Sequence, residues 1–206
     1  MTKAIDQAGG ERSRTSVERG RVSRAELLAA ATELIPRVGW NAVTTRSLAA
    51  HAGVRPGLVH YHFDSSADLL RTAATEVFTE ALEVPLEAMI ATEDPTEGAL
   101  AALHIMNGHG GKGRPASVLL AEACLAAIRD PVLHETVSQL LERTRTSITD
   151  WLERLGTPQP EAVAEILCAF FDGSVLHRAL MPVPEPESYL EPLRRLTSDS
   201  FPEGKT

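Results

Sequence analysis

Apolar residues recur at intervals of three and four along most of this chain, the spacing that places side chains on one face of an α-helix. The pattern predicts an all-α fold of about nine helices. Their expected bounds are residues 23–38, 45–51, 56–62, 65–85, 96–106, 115–128, 130–155, 160–180 and 187–197. The fourth of them is expected to kink or end at Pro85, because a proline inside a helix removes a backbone donor.

Turn and cap residues divide the stretch TTRSLAAHAGVRPGLVHYHF, from Thr44 to Phe63, into two short helices. Thr44 is predicted to cap the first helix with its hydroxyl, and Gly53 to end it in the left-handed conformation. Pro56 suits the first turn of the second helix, where no amide donor is needed. This spacing predicts a helix-turn-helix.

Similar signals mark other helix starts. Ser23 with Glu26, and Ser65 with Asp68, match the capping-box pattern, and Asp130 before a proline opens the longest helix. The residues expected on the buried side of that helix are Leu133, Val137, Leu140, Leu141, Ile148, Trp151, Leu152 and Leu155.

Charge is distributed unevenly along the chain. The net charge is −8, but residues 1–71 hold 10 Lys and Arg against 7 Asp and Glu, which leaves 10 against 21 for the rest. A basic head on an acidic body favours a nucleic-acid partner for the head, because attraction to phosphate is screened within about 8–10 Å. The alternative is an acidic soluble protein with a chance excess of arginine near its start.

Neither export nor a membrane partner is predicted. No apolar run approaches the ~18–20 residues of a membrane span, and the polar start lacks the apolar core of a signal peptide. Cys124 and Cys168 lie in apolar runs without metal-ligand spacing, so they are expected to be buried, reduced thiols in a cytoplasmic protein. Residues 1–22 lack periodicity and are expected to form a flexible basic arm that either reaches DNA or stays solvated.

Two further patterns point to no cofactor and no metal. The glycine-rich segment NGHGGKGR at residues 107–114 lacks the Ser or Thr that follows the lysine of a phosphate-binding loop, and no strand precedes it. It is expected to be a flexible connection. His51, His60 and His62 are close in sequence, but positions 60 and 62 lie on different faces of a helix, which argues against a shared metal ion.

The stretch WNAVTTRSLAAHAGVRPGLVHYHFDS resembles the DNA-binding head of TetR-type transcriptional regulators, and the resemblance covers residues 23–75. It implies a helix-turn-helix domain at residues 23–66 and an effector-binding and dimerisation body at residues 67–206. The second helix of the motif would enter the major groove of double-stranded DNA, with Phe63 locking it to the head. The residues at DNA-contacting positions are Thr44, Thr45, Arg46, Arg55, Pro56, Gly57, Leu58, His60, Tyr61 and His62.

Each position in this set suits a particular contact. Arg55 can form paired hydrogen bonds with guanine, Leu58 can touch a thymine methyl, and Gly57 permits close approach of the backbone. Phosphate contacts, which position a helix without specifying sequence, are expected from Thr44, Arg46, Tyr61 and His62.

Four positions depart from the family pattern. Arg55 stands where a small capping residue is usual, Leu58 where a small hydroxyl residue is usual, and His60 where tyrosine is usual. Ser66 replaces the lysine that normally follows the recognition helix, which leaves one usual phosphate contact without its lysine. An operator different from those of the better-known members is therefore expected.

The resemblance also implies that a small-molecule effector enters an apolar cavity within the body. The candidate lining residues are Leu103, His104, Met106, Asn107, Leu119, Glu122, Ala123, Leu125, Ala126, Trp151 and Phe170. For each of them, packing in the core is the alternative, and a mutual hydrogen bond would explain His104 and Glu122 equally well. The last two helices are implied to build a homodimer interface, with an inward-folded monomer as the alternative.

The leading functional hypothesis is a repressor that an effector releases from a palindromic operator. A ligand-independent regulator or an activator of the same fold is the second hypothesis. The third is a helical enzyme that uses His104, His109 or Glu122, and it has against it the lack of nucleophile–base or metal-ligand spacing in the sequence.

Overall fold

The computed structural model describes residues 24–108, 113–182 and 184–198, and every regular element within these ranges is helical. The helices are α1 (residues 24–38), α2 (Thr45–His51), α3 (Gly57–His62), α4 (Ser66–Ile90), α5 (Pro95–Gly108), α6 (Gly113–Ala127), α7 (Pro131–Arg154), α8 (Pro160–Leu180) and α9 (Leu190–Thr197). Short 3₁₀ turns cover Trp40–Ala42 and Pro186–Tyr189. The predicted all-α fold is confirmed, while the expected basic arm and Ser23 cap lie outside the described residues.

The chain divides into two compact units between Ala74 and Thr75, inside α4. The expected domain boundary after residue 66 lies earlier, at the start of that helix. α4 begins with Ser65 as its cap, since the Ser65 hydroxyl accepts a hydrogen bond from the Asp68 amide at 3.1 Å. It continues through Pro85 to Ile90, so Pro85 does not end it.

The first unit, which ends at Ala74, buries apolar side chains from each of its helices. α1 contributes Leu27, Leu28, Ala31 and Ile35, while Val38 in its last turn is half exposed. Two polar contacts tie α1 to the helix-turn-helix. The Arg24 guanidinium lies 5.2 Å from the centre of the Phe63 ring, and His51 Nε2 lies 2.8 Å from Glu33 Oε2.

The second unit, from Thr75 onward, has a core built around Trp151. This core joins Met89 of α4, residues of α5, α7 and α8, and Leu193 of α9. The Trp151 indole N–H donates to the Thr92 carbonyl oxygen at 3.1 Å. α9 turns its apolar side inward onto α5, where the Thr96 and Thr197 hydroxyls lie 3.0 Å apart.

Several burial predictions for this unit need correction. α7 begins at the expected Asp130 cap, whose carboxylate accepts from the amides of Val132 and Leu133. Six of its eight expected core residues are buried, but Leu141 is exposed and Leu155 only half-buried. Cys124 is also exposed rather than buried, and Cys168 is half-buried, although both are free thiols. Periodicity therefore identified the apolar face of a helix, but not how far its burial extends at the margins of that face.

Within the described ranges, none of the helices combines the length and the apolar character that crossing a membrane requires.

Candidate nucleic-acid interface and effector site

Local hydrogen bonds fix the start of the helix-turn-helix. The Thr44 hydroxyl accepts from the Ser47 amide at 3.1 Å, and the Thr44 amide donates to Ser47 Oγ at 2.9 Å, which completes a capping box. Gly53 has a φ of 68°, the left-handed conformation expected of the turn. Pro56 occupies the N-cap of α3 rather than its first helical position, so that helix begins one residue later than predicted.

The structure places most of the predicted DNA-contacting residues on the surface. Val59, which is fully buried, and the nearly buried Phe63 anchor the inner side of α3. Around this anchor, the exposed candidates are Thr44, Arg46, Arg55, Pro56, Gly57, His60 and Tyr61, and the half-buried ones are Thr45, Leu58 and His62. Tyr61 is 76% exposed, so its ring and hydroxyl are accessible to an external partner.

Gly57 is open on the side where a side chain would stand. A Cβ added to it would meet no atom within 4 Å. The packing of the unit therefore does not require a glycine at the start of α3. A requirement for glycine would have to come from outside the unit, such as a partner surface that approaches the backbone closely.

His62 differs from its neighbours on α3. Its Nε2 is buried and has no hydrogen-bond partner in the part of the chain that the structure describes, and its ring meets Tyr61 edge-on at 4.8 Å. A phosphate contact through Nε2 requires the ring to turn outward. The nearby His51 is engaged with Glu33, and no group of three or more potential metal ligands occurs among the described residues.

The candidate effector residues fall into three classes. Leu103, Leu119, Ala123 and Trp151 are buried; Met106, Glu122, Ala126 and Phe170 are half-buried; His104, Asn107 and Leu125 are exposed. Trp151 is only 1% exposed and packs in the core. Packing in the core was the alternative that the sequence analysis kept for each effector candidate. His104 Nε2 lies 3.2 Å from Glu187 Oε1, and His109 lies outside the described residues.

Arg178 is a polar residue of the body that the sequence analysis did not identify. It lies on α8, and one of its Nη1 hydrogens is donated to the Met106 carbonyl oxygen of α5. Its Nε and Nη2 atoms are buried without a hydrogen-bond partner in the described part of the chain. An arginine on the inward stripe of a predicted helix is the sequence signal that could have identified it.

Comparisons with known proteins agree with the geometry of both units. Residues 27–73 match the family model described as "Bacterial regulatory proteins, tetR family", and residues 91–199 match "Tetracyclin repressor-like, C-terminal domain". An uncharacterised HTH-type transcriptional regulator of Mycobacterium tuberculosis strain H37Rv is 27% identical over 187 residues, which cover 88% of this chain and 95% of the relative.

Solved structures share the fold. A transcriptional regulator of Streptomyces coelicolor A3(2) superposes with a TM-score of 0.67 at 28% identity, covering 85% of this chain and 98% of that one. The multidrug binding protein EbrR, in complex with malachite green, gives a TM-score of 0.63 at 24% identity over 85% and 98% of the two chains. The chain therefore belongs to the TetR family and is a DNA-binding transcriptional regulator of the helix-turn-helix type.

Proposed function

We propose that this regulator is a cytoplasmic repressor that holds a palindromic operator as a homodimer and leaves it when a small-molecule effector binds the body. The two α3 helices of the dimer would enter major grooves about one helical turn, ~34–36 Å, apart. Effector binding would favour a state in which this spacing no longer fits, as linkage between two sites requires.

The exposed surface around α3 carries the DNA-binding part of this proposal. Arg46 and Arg55 supply positive charge there, Tyr61 and Thr44 supply hydroxyls, and Gly57 leaves room for a groove wall. Arginine and hydroxyl side chains are the usual donors to phosphate oxygens and base edges. These side chains are therefore accessible to a DNA partner.

The dimer part of the proposal is supported by an apolar stripe on α8. Ile166, Leu176 and Leu180 are 49%, 51% and 72% exposed, respectively, and the small residues Ala169 and Gly173 continue the stripe between them at intervals of three and four. A Cβ at Gly173 would meet no atom within 4 Å. Such a seam lets a second helix approach closely, as in coiled-coil packing.

The surroundings of α9 favour a smaller role in the dimer than the resemblance implies. Its buried side faces α5, and on its outward side Arg194 and Arg195 both pair with Glu191, with Arg195 Nε 3.0 Å from Glu191 Oε1. We therefore propose that α8, rather than α8 and α9 equally, supplies the apolar part of the interface.

A small-molecule effector is supported at the level of the fold. EbrR, which shares this fold, was crystallised with malachite green. α4 continues without a break from the first unit, here called the reading unit, into the second unit, here called the body. A shift of the C-terminal end of α4 is therefore a route by which effector binding in the body can reach the reading unit. A ligand-independent regulator or an activator would bind DNA with the same surface and differ only in the response to an effector.

The test of DNA binding is gel retardation with DNA from upstream of the protein's own gene. We expect retardation that resists unrelated competitor DNA and weakens steeply with salt, because each phosphate contact releases counterions. Retardation that the competitor abolishes completely would contradict a specific operator in that DNA. Selection of bound sequences from a random pool then defines the operator and shows whether it is palindromic.

The test of the dimer is sedimentation of Ile166→Glu, with Val132→Glu as the matched control. Both residues are exposed and apolar, but Val132 lies at the start of α7, away from the stripe. A buried carboxylate without a partner is costly, so Ile166→Glu should dissociate the dimer while the control should not. A monomeric wild type, or equal effects of the two variants, would contradict the role of α8.

A further inference from the structure

Arg178 brings a positive charge to the inward face of α8. It follows Ala164, Leu167, Phe171 and Ser174 at alternating intervals of three and four, and all four of these residues are buried or half-buried. Residues at this spacing share one face of a helix. Arg178 therefore continues the stripe that packs into the body, where a hydrocarbon side chain would be the usual choice.

The guanidinium is only partly satisfied. Nη1 donates to the Met106 carbonyl oxygen near the end of α5, but among the described residues no acceptor reaches the buried Nε and Nη2. A buried donor left without a partner costs about 1–3 kcal/mol, and more when the group is charged. Burial also lowers the pKa of Arg178, which shows that water no longer solvates the group fully.

The two unsatisfied atoms have a defined mutual geometry. The N–H bonds of Nε and Nη2 lie on the same edge of the planar guanidinium and point in parallel. This edge matches the two oxygens of a carboxylate in a bidentate pair. The contact with Met106 occupies Nη1, and the edge formed by Nε and Nη2 is left without an acceptor among the described residues.

We propose that this edge of Arg178 binds the carboxylate of a small organic acid that has an apolar body. The inference rests on the proposed effector-responsive function and names the chemical class of the effector. A single negative charge matches the one positive charge of Arg178, whereas a phosphate dianion would bury an uncompensated charge. The half-buried Met106, Phe170 and Phe171 belong to the same two helices and suit the apolar remainder of the acid.

The experiment measures the melting temperature of the full-length protein without DNA. The probes are sodium n-alkanoates from acetate to octanoate at constant ionic strength, each compared with the primary alcohol of the same chain length. A ligand that binds only the folded state raises the melting temperature with concentration. We expect the alkanoates to raise it and the alcohols not to.

Variants tie that response to Arg178. Arg178→Met keeps the length of the side chain without its donors and should weaken alkanoate binding about ten-fold or more, since charged hydrogen bonds are lost. Arg178→Lys keeps the charge but not the paired donors, so it should also bind more weakly, and it serves if the methionine variant does not fold. Arg194→Met, on the exposed side of α9, is the matched control and should respond like the wild type.

Three outcomes overturn the proposal. The first is the lack of a carboxylate-specific rise in the melting temperature of the wild type, and the second is an equal rise in Arg178→Met. The third is a dimer that Arg178→Met converts to a monomer in sedimentation, which would assign the guanidinium to the subunit interface.

DNA retardation separates this proposal from the proposed function. An alkanoate that binds through Arg178 but leaves retardation unchanged supports the site and contradicts effector release. A wild type that does not bind DNA contradicts only the proposed function.

Discussion

Two helical glycines, Gly57 of the reading unit and Gly98 of the helical body, have opposite surroundings. At Gly57 in α3, an added Cβ would meet no atom within 4 Å, whereas at Gly98 in α5 it would lie 2.5 Å from two ring carbons of Trp151 and 2.7 Å from Thr92 Oγ1. The body needs Gly98 for its own packing, while the reading unit does not need Gly57. In this protein, residues that the fold does not require are the better guide to the functional surface.

The two large aromatic candidates show the same contrast. Tyr61 is 76% exposed in the reading unit, and Trp151 is 1% exposed in the body. Both were candidates for binding, one for DNA and the other for an effector. Their burial separates a side chain available to a partner from one already committed to the core.

Replacement of Trp151 should give the largest effect. Trp151→Ala removes the largest fully buried side chain and its hydrogen bond to Thr92, so the free energy of unfolding should fall by about 3–5 kcal/mol. Urea unfolding measures the loss. Val132→Ala, an exposed position on the same helix, is the control and should stay within about 0.5 kcal/mol of the wild type. A loss no greater than that of the control would contradict the role of Trp151 at the centre of the core.

The comparison of the two glycines can be tested directly with alanine. Gly98→Ala should lower the free energy of unfolding by about 1–3 kcal/mol, because the new methyl group overpacks against the indole. Gly57→Ala should leave stability unchanged or raise it by up to about 1 kcal/mol, since alanine favours a helix. DNA affinity should respond in the reverse order, with Gly57→Ala the weaker binder in gel retardation. Full DNA affinity in Gly57→Ala would show that no partner approaches this backbone closely.

The sequence predicted the reading unit well because its determinants are local. The Thr44 cap depends on Ser47, three residues away, and the turn depends on one glycine that accepts a positive φ. The bounds of α2 were therefore predicted without error. The same short motif predicted the candidate DNA-contacting residues of the reading unit. It did not predict that His62 Nε2 is buried.

The body was less predictable, because its candidate site depends on contacts between distant helices. Periodicity gave the bounds of α8, but whether Arg178 has partners depends on a carbonyl 72 residues earlier in the chain. Leu125 and Trp151 were both candidates to line the effector cavity, yet one is 55% exposed and the other is the centre of the core. A hydrophobic pattern shows that a helix has an apolar face, but not which edge of that face another helix covers.

Arg55 and Arg46 should separate two kinds of contact within the reading surface. Arg55→Ala should cost about 1–3 kcal/mol at one operator position, because Arg55 is expected to pair with a base edge. Arg46→Ala should weaken binding to all sequences alike and reduce the salt dependence, because its expected partner is a phosphate. Titration of each variant against operators with single base changes distinguishes the two. An equal loss at every sequence for both variants would contradict the division of roles.

Thr44 should give the smallest effect, because its hydroxyl serves the fold and was also expected to contact phosphate. Thr44→Ala removes the acceptor of the Ser47 amide, so the reading unit should lose about 1 kcal/mol of stability. Thr44→Ser keeps the hydroxyl and should restore the lost stability. If DNA affinity falls in Thr44→Ala at a temperature where the unit stays folded, the hydroxyl acts on phosphate directly. If affinity falls only as the unit unfolds, Thr44 acts only as a helix cap. DNA binding then depends on Thr44 through the stability of the fold, as the packing of the body depends on Gly98.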